Sequence, residues 1–116
     1  MRHRKKNRSL GRVKRQREAL LRNLADSLIL HGKIETTLAK AKELRIFIEP
    51  LVTKAVVGTL ADRRNLIKVL YTDEAVRKLM DEYGPKYKER PGGYTRITKL
   101  GPRANDCAEM GVIEFV

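Results

Sequence analysis

The sequence predicts an α+β fold, in which four helices pack on a small sheet that ends in an antiparallel C-terminal hairpin. Three observations predict this class. Apolar residues recur at helical spacing between residues 17 and 83, and residues that favour strands fill two runs between 94 and 116. The length of 116 residues, 41% of them hydrophobic, suits one domain with one core. We therefore expect a single globular domain at residues 18–116, preceded by a basic extension at residues 1–17.

The extension at residues 1–17 carries most of the excess positive charge. The formal net charge is +12, and the extension holds nine cations and no acid, which leaves +3 for the remaining residues. Such a run of like charges is typical of arms that bind nucleic acid, because phosphates supply the missing counter-charge. The alternative is a solvated charge run that serves only solubility. The candidate nucleic-acid-binding residues of the extension are Arg2, His3, Arg4, Lys5, Lys6, Asn7, Arg8, Arg12, Lys14, Arg15 and Arg17.

The first helix is predicted near residues 17–31. Its apolar stripe consists of Leu20, Leu21, Leu24, Ala25 and Leu28. Gly32 can adopt the left-handed conformation that ends a helix. Arg22 lies on the opposite, polar face and is a further candidate nucleic-acid contact, since it continues the charge of the extension. A short strand is predicted at Lys33–Thr36, where polar and apolar residues alternate.

The second helix has the longest apolar stripe of the chain. Either Thr36 or Thr37 can cap it, because a threonine hydroxyl accepts hydrogen bonds from the first backbone N–H groups of a helix. Pro50 lies inside the stripe, where proline removes a backbone donor and clashes with the preceding turn. A kink or a break is therefore predicted near residues 48–49. Gly58 is predicted to end the helix.

Two further helices are predicted before residue 85. The third follows Thr59 and is marked by Leu60, Leu66, Ile67 and Leu70. The fourth opens at Thr72 with two acids at the positive end of its dipole. Its predicted buried face consists of Val76, Leu79, Met80 and Tyr83. Gly84 and Pro85 are predicted to terminate it, since glycine accepts a left-handed cap and proline cannot extend a helix.

The C-terminal part of the chain is predicted to form an antiparallel hairpin. Residues 94–100 and 108–116 are rich in residues that favour strands, and turn-forming residues lie between them at 101–102 and 105–106. An isolated hairpin is only marginally stable in water. We therefore expect it to pack against the helices or to accept residues 33–36 as a third strand.

A second basic region surrounds the start of this hairpin, where cations alternate with tyrosines and glycines. Tyrosine rings can stack on unpaired bases or pack against sugars. Tyr87 and Tyr94 can equally serve to cover the hairpin, and the residues alone leave both interpretations open. The candidate binding residues of this region are Lys86, Lys88, Arg90, Tyr94, Arg96, Lys99 and Arg103.

Catalytic and metal chemistry have little support in the sequence. Cys107 is the only cysteine, and with His3 and His31 it provides no metal-binding spacing. Neither a dinucleotide-binding fingerprint nor a P-loop occurs. We therefore predict no enzyme, no cofactor, no metal and no small-molecule substrate. The absence of a long apolar run or a secretory signal predicts an intracellular protein without membrane attachment. A DNA-binding protein and a small enzyme that acts on RNA remain as alternatives.

Eight blocks of the sequence carry a family likeness. They are MRHRK at 1–5, LGR at 10–12, ALLRNLA at 19–25, SLILHGKIETT at 27–37, AKAKELR at 39–45, RPGGYTRI at 90–97, LGPR at 100–103 and IEFV at 113–116. Together they closely resemble the family of bacterial large-subunit ribosomal proteins numbered seventeen, over essentially the whole chain.

This resemblance implies a non-catalytic component of the large ribosomal subunit in the cytoplasm, with a two-layer α-β domain and a basic N-terminal extension. It also implies binding to large-subunit ribosomal RNA and contact with neighbouring ribosomal proteins, including the one numbered thirty-two. The chain departs from the family at residues 55–59 and at Ala104 and Asn105, where RNA contacts are less expected. Specificity is expected from the shape of the folded RNA, because phosphate contacts carry little sequence information.

Overall fold

The computed structural model describes Arg8 and residues 10–116 and shows an α+β fold. The helices are α1 (Lys14–His31), α2 (Leu38–Val57), α3 (Leu60–Val69), α4 (Asp73–Lys78) and, after a π-helical segment at Leu79–Tyr83, the short α5 (Gly84–Lys86). The strands are β1 (Lys33–Thr37), β2 (Thr95–Pro102) and β3 (Glu109–Phe115). The α+β class, the main helices and the C-terminal hairpin are thus confirmed.

The three strands form one antiparallel sheet in the order β1-β3-β2. Ile113 of β3 pairs with Ile34 of β1 on one side and with Ile97 of β2 on the other. The short strand after α1 is therefore the third strand that the hairpin needs. Alternate residues of β3, among them Ile113 and Phe115, are buried on the face covered by the helices.

Helix α2 is the centre of the helical layer, since it packs on α1, α3 and all three strands. The largest fully buried aliphatic side chains come from these elements and from the segment after α3, and are Leu28, Ile29, Leu44, Ile48, Val52, Leu66, Val76, Leu79 and Ile113. They form one continuous cluster, as expected for a domain of this length. The two layers thus share one core, which holds the sheet and α1 in a defined geometry.

Helix α1 begins earlier than residue 17, where the sequence pattern placed it. Lys14, Arg15 and Arg17 therefore lie in its first turn. Its C-terminal end agrees with the prediction, because Gly32 adopts a φ of 82° and its N–H donates to the Leu28 carbonyl at 2.7 Å. Three cations of the basic extension are thus held in helical geometry on the domain.

Helix α2 continues through Pro50, so of the two predicted outcomes, a kink or a break, the break was wrong. Thr37 caps its start by accepting a hydrogen bond from the backbone N–H of Lys40. Proline costs this helix one backbone donor and a steric clash, but Ile48, Leu51 and Val52 on either side of it are buried in the core. Burial of the adjacent turns offsets the local cost, which is why the helix is not interrupted.

Gly84 does not end a helix in the left-handed conformation, so this prediction was also wrong. Its φ is −55°, and the chain remains helical through Lys86. A Cβ atom at this position would lie 2.6 Å from the Ala55 carbonyl oxygen. Glycine is therefore required by the close approach of this segment to α2, and Pro85 lies at the start of α5, where its missing N–H costs little.

Candidate nucleic-acid interface

The described part of the basic extension is attached to α2 through Arg8. The backbone N–H and the guanidinium Nη1 of Arg8 both donate to Oε2 of Glu43, at 3.4 and 3.3 Å. The Glu43 side chain is only 4% exposed. An almost buried carboxylate needs such a partner. The other predicted contacts at Arg2, His3, Arg4, Lys5, Lys6 and Asn7 lie outside the described residues.

A tight turn at residues 10–12 precedes α1. Leu10 and Gly11 adopt φ values of 54° and 66°. The guanidinium of Arg12 donates to the Leu10 carbonyl at 2.8 Å, which stabilises the turn. Arg12 is therefore partly engaged within the protein, while its remaining N–H groups stay available because a guanidinium has five.

The start of α1 combines positive charge with unsatisfied backbone donors. Val13 precedes the helix and provides no side-chain cap, and the first acid of the chain is Glu18. The N-terminal end of a helix is already positive because of the macrodipole. Lys14, Arg15 and Arg17 add three cations there, an arrangement that disfavours the free helix and attracts an anion. Arg22, further along the same helix, is half-buried.

The two hairpin arginines are paired with acids of this chain. Arg96 donates to Oε1 of Glu114 through Nε at 3.1 Å and Nη2 at 2.7 Å. Arg103 donates to both carboxylate oxygens of Asp106, at 2.9 and 2.6 Å. These bonds lower the pKa of Asp106 to about 2 and raise the pKa of Arg103. The predicted contacts at these two positions are thus already occupied by carboxylates.

The tyrosines cover the hairpin, which decides between the two interpretations of these rings. Tyr87 and Tyr94 are 2% and 3% exposed, with their ring centroids 5.1 Å apart. The Tyr87 hydroxyl donates to the Val116 carbonyl at 2.7 Å, and the Tyr94 hydroxyl lies 3.2 Å from Thr53 Oγ1. Burial raises the pKa of Tyr87. The prediction of Tyr94 as a binding residue is corrected, because its ring offers no face to a base.

Lys86, Lys88 and Arg90 remain exposed in the segment that leads into the hairpin. Its end is held by Glu49 of α2, whose carboxylate accepts from the backbone N–H groups of Tyr94 and Thr95 at 3.2 and 3.3 Å. Glu49 was not identified from the sequence as a positioning residue, because a polar residue inside a helix gives no signal for a partner 45 positions away. The hydrogen bonds to Glu49 thus fix the end of the segment that carries Lys86, Lys88 and Arg90.

Lys42 and Arg45 are basic residues that stood out in the sequence only as part of a family block. Both are exposed on α2 and border a groove that also contacts Arg8 and Lys99. Their spacing of three residues places them on one side of the helix. That spacing was the only available signal, and it does not reveal which strand lies opposite.

Neither a cluster of potential metal ligands nor a helix able to span a membrane occurs in the part of the chain that the structure describes. No three acidic, histidine or cysteine side chains converge there on a point that would hold a metal ion. None of the helices found there combines the length and apolar character needed to cross a bilayer.

Comparison with known proteins identifies relatives along the chain. The family model described as ribosomal protein L17 matches residues 20–116. Large ribosomal subunit protein bL17 of Gemmatimonas aurantiaca is 60% identical over 116 residues, covering 100% of this chain and 98% of that protein. Proteins of the same name from Nitratidesulfovibrio vulgaris and Rickettsia bellii are 51% and 52% identical over 116 residues. They match 99% and 100% of this chain, and the matches cover 87% and 82% of those proteins. The chain belongs to the bacterial ribosomal protein L17 family.

Proposed function

We propose that the protein acts in the large ribosomal subunit by binding and stabilising large-subunit ribosomal RNA through its basic N-terminal segment. As a bacterial ribosomal protein it is located in the cytoplasm, on the ribosome. Family membership supports a structural role rather than a catalytic one. Contact with the large-subunit protein numbered thirty-two is part of the proposal and is supported only by the family resemblance.

The observation that carries the proposal is the positive charge at the start of α1. Lys14, Arg15 and Arg17 lie in its first turn, and none of them belongs to an ion pair among the described residues. Phosphates suit this site for two reasons. They neutralise the cations, and they accept hydrogen bonds from the backbone N–H groups at the start of the helix. An RNA backbone is therefore a better partner than solvent.

The anchoring of Arg8 adds a geometric argument. Because Arg8 is held on Glu43, the described part of the basic extension lies beside α2. One RNA segment is proposed to contact both the start of α1 and residues 1–7, which directly precede Arg8 in the sequence. Lys86, Lys88 and Arg90 are proposed as a second contact region, since they are exposed and belong to none of the described ion pairs.

Deletion of residues 2–7 tests the proposal, because it removes four cations and leaves the Arg8–Glu43 pair and α1 intact. Binding of a large-subunit ribosomal RNA transcript is measured from about 50 to 200 mM salt. The slope of log K against log salt is expected to fall by about 1 for each phosphate that the shortened protein no longer binds. A duplex DNA of equal length serves as the competing ligand.

A matched control removes the same charge elsewhere, by changing Lys33, Lys54, Arg64 and Lys68 to glutamine. These cations lie on β1, at the end of α2 and on α3, and none belongs to the two proposed contact regions. The control is expected to keep the slope of the unmodified protein. Equal slopes for the deletion and the control, or tighter binding to DNA than to the ribosomal transcript, would contradict the proposal.

A further inference from the structure

A groove of about 380 Å³ lies between α2 and β2. One wall is formed by Lys42, Arg45 and Ile46, which share a side of α2 because they are three and four residues apart. The other wall is formed by Ile97 and Lys99, which lie on the same face of β2 because they are two residues apart. The groove thus combines charged and apolar side chains from two elements.

Three cations border this groove and have no acidic partner in the described part of the chain. Lys42, Arg45 and Lys99 take part in none of its ion pairs. Arg8 also borders the groove, but its charge is already compensated by Glu43. Of the described residues that line the groove, none is acidic. Like charges gathered at a concave site raise the local positive potential and favour an anionic ligand.

The lining of the groove also contains apolar side chains, which a site for phosphate alone would not need. They are Leu38 and, from the two walls, Ile46 and Ile97. Ile46 is 58% exposed, although isoleucine is normally buried. A ligand that covers Ile46 would remove apolar surface from water while its anionic part contacts the surrounding cations. The groove therefore suits a ligand with both an apolar and an anionic part.

We infer that this groove holds one unpaired nucleotide of the large-subunit ribosomal RNA, with its base on Ile46 and its adjoining phosphates on Lys42, Arg45 and Lys99. The inference rests on the proposed function and names a part of the RNA that the protein binds. Paired RNA keeps its bases stacked inside the helix, so it would contact the cations of the groove but not its apolar side chains. Bases in loops and bulges can be extruded and can use both.

Charge disfavours the other occupants of the groove. The chain's own extension carries four cations before residue 8, which the cations of the groove would repel. A segment of another protein would have to be both acidic and apolar. RNA carries a negative charge at every phosphate and is therefore attracted by the cations of the groove. These alternatives give different products in a crosslinking experiment.

The first test places a photoreactive phenylalanine analogue at Ile46 of the full chain and crosslinks it within assembled large subunits. The expected product is a crosslink to one unpaired nucleotide. The matched control carries the same group at Ile67 of α3, which is an isoleucine of similar exposure, 51%, outside the groove. We expect no crosslink from Ile67 to that nucleotide. A crosslink from Ile46 to a base-paired stem, another protein or the extension, or no RNA crosslink, overturns the inference.

The second test separates the base from the phosphates by equilibrium binding to the ribosomal transcript. Ile46→Ala is expected to weaken binding about 10-fold without changing the salt slope, because an apolar contact to a base releases no counterions. The double substitution Lys42→Gln/Arg45→Gln is expected to lower the slope by about 2. Ile67→Ala is the control and should bind as the unmodified protein does.

The outcomes distinguish this inference from the proposed function. If the unmodified protein does not bind the transcript, the proposed function fails and the inference fails with it. If the unmodified protein binds and deletion of residues 2–7 weakens binding, while Ile46→Ala has no effect, only the inference about the groove is wrong. An equal effect of Ile46→Ala and Ile67→Ala also contradicts it, since the effect would then not depend on the groove.

Discussion

The cations at the start of α1 and the arginines of the C-terminal hairpin were both predicted to bind nucleic acid, yet they differ in what they already contact. Arg96 and Arg103 each donate two hydrogen bonds to a carboxylate of the same chain. Lys14, Arg15 and Arg17 have no such partner among the described residues. The availability of a cation for binding therefore depends on its neighbours in space as well as on its charge.

The pairing of the hairpin arginines reduces what they can contribute to binding. An exposed ion pair is weak, so breaking it costs little. The released carboxylate would, however, remain beside the incoming phosphate and repel it. The start of α1 has no such opposing charge in its first turn, and its dipole adds to the attraction. We therefore expect the N-terminal region to contribute most of the binding free energy.

Arg8 makes an ion pair of a different kind, because its acid is almost buried. Arg8→Gln is expected to lower the free energy of unfolding by about 2 kcal/mol, since Glu43 is deprived of a charged donor in a site with little access to water. Urea unfolding measures the change. Arg103→Gln is the comparison and should shift the unfolding curve much less, because Asp106 is exposed. Arg8→Gln/Glu43→Gln should recover part of the stability, and equal curves for the two single variants would contradict the difference.

The comparison of the two regions is tested directly by two matched double substitutions. Arg15→Gln/Arg17→Gln should lower the salt slope of binding to the ribosomal transcript by about 2, since each cation that binds a phosphate contributes about 1 to the slope. Arg96→Gln/Arg103→Gln removes the same charge and should lower the slope by less than half as much. Filter-binding titrations at graded salt measure both slopes. A larger effect from the hairpin pair would reverse the assignment of the two regions.

Tyr94→Phe tests whether the hairpin tyrosine serves the core. Removal of the hydrogen bond between its hydroxyl and Thr53 should lower the free energy of unfolding by about 1 kcal/mol. Affinity for the ribosomal transcript should stay the same, because the ring is buried. Thermal unfolding and RNA binding are measured on the same preparation. Weaker RNA binding without a change in stability would restore Tyr94 as a contact residue.

The smallest expected effect is the pH dependence of the exposed Arg103–Asp106 pair. The pKa of Asp106 is lowered from 3.8 to about 2 in the folded protein. The folded state therefore holds the charged form more strongly, and this contribution to stability is present above about pH 4 and disappears as the pH falls towards 2. NMR titration of the Asp106 carboxyl measures it. Arg103→Gln should return the pKa towards its usual value, and an unchanged titration would show that Arg103 is not the cause.

Much of the fold was predictable from local patterns. The apolar stripe of α1, the threonine cap of α2 and the left-handed Gly32 each depend on residues close by in the chain, so the sequence reveals them directly. The predictions failed where a distant contact outweighed a local preference. Pro50 stays inside a helix because the core holds the turns on either side, and Gly84 is needed for the close approach to Ala55 and not for a left-handed helix end.

The sequence predicted which types of residue form the candidate interface, but it did not predict which contacts those residues make. The sequence identified the basic extension and the cations near the hairpin, since charge is visible residue by residue. It could not show that Arg96 and Arg103 are paired, nor that Tyr94 is buried, because these facts depend on which elements lie side by side. Lys42 and Arg45 were overlooked as a pair for the same reason, since the strand that completes their groove lies more than 50 positions further along.

The α+β class, the order of the main helices and strands, the basic character of the N-terminal region and the family likeness all followed from the order of the amino acids. Which charges are compensated within the chain, and which are left without an acidic partner among the described residues, became visible only in the folded protein. Helical and strand preferences arise from near neighbours, whereas ion pairing and burial arise from packing. Arg8 reaches Glu43 across 35 positions, and no local pattern in the sequence specifies that contact.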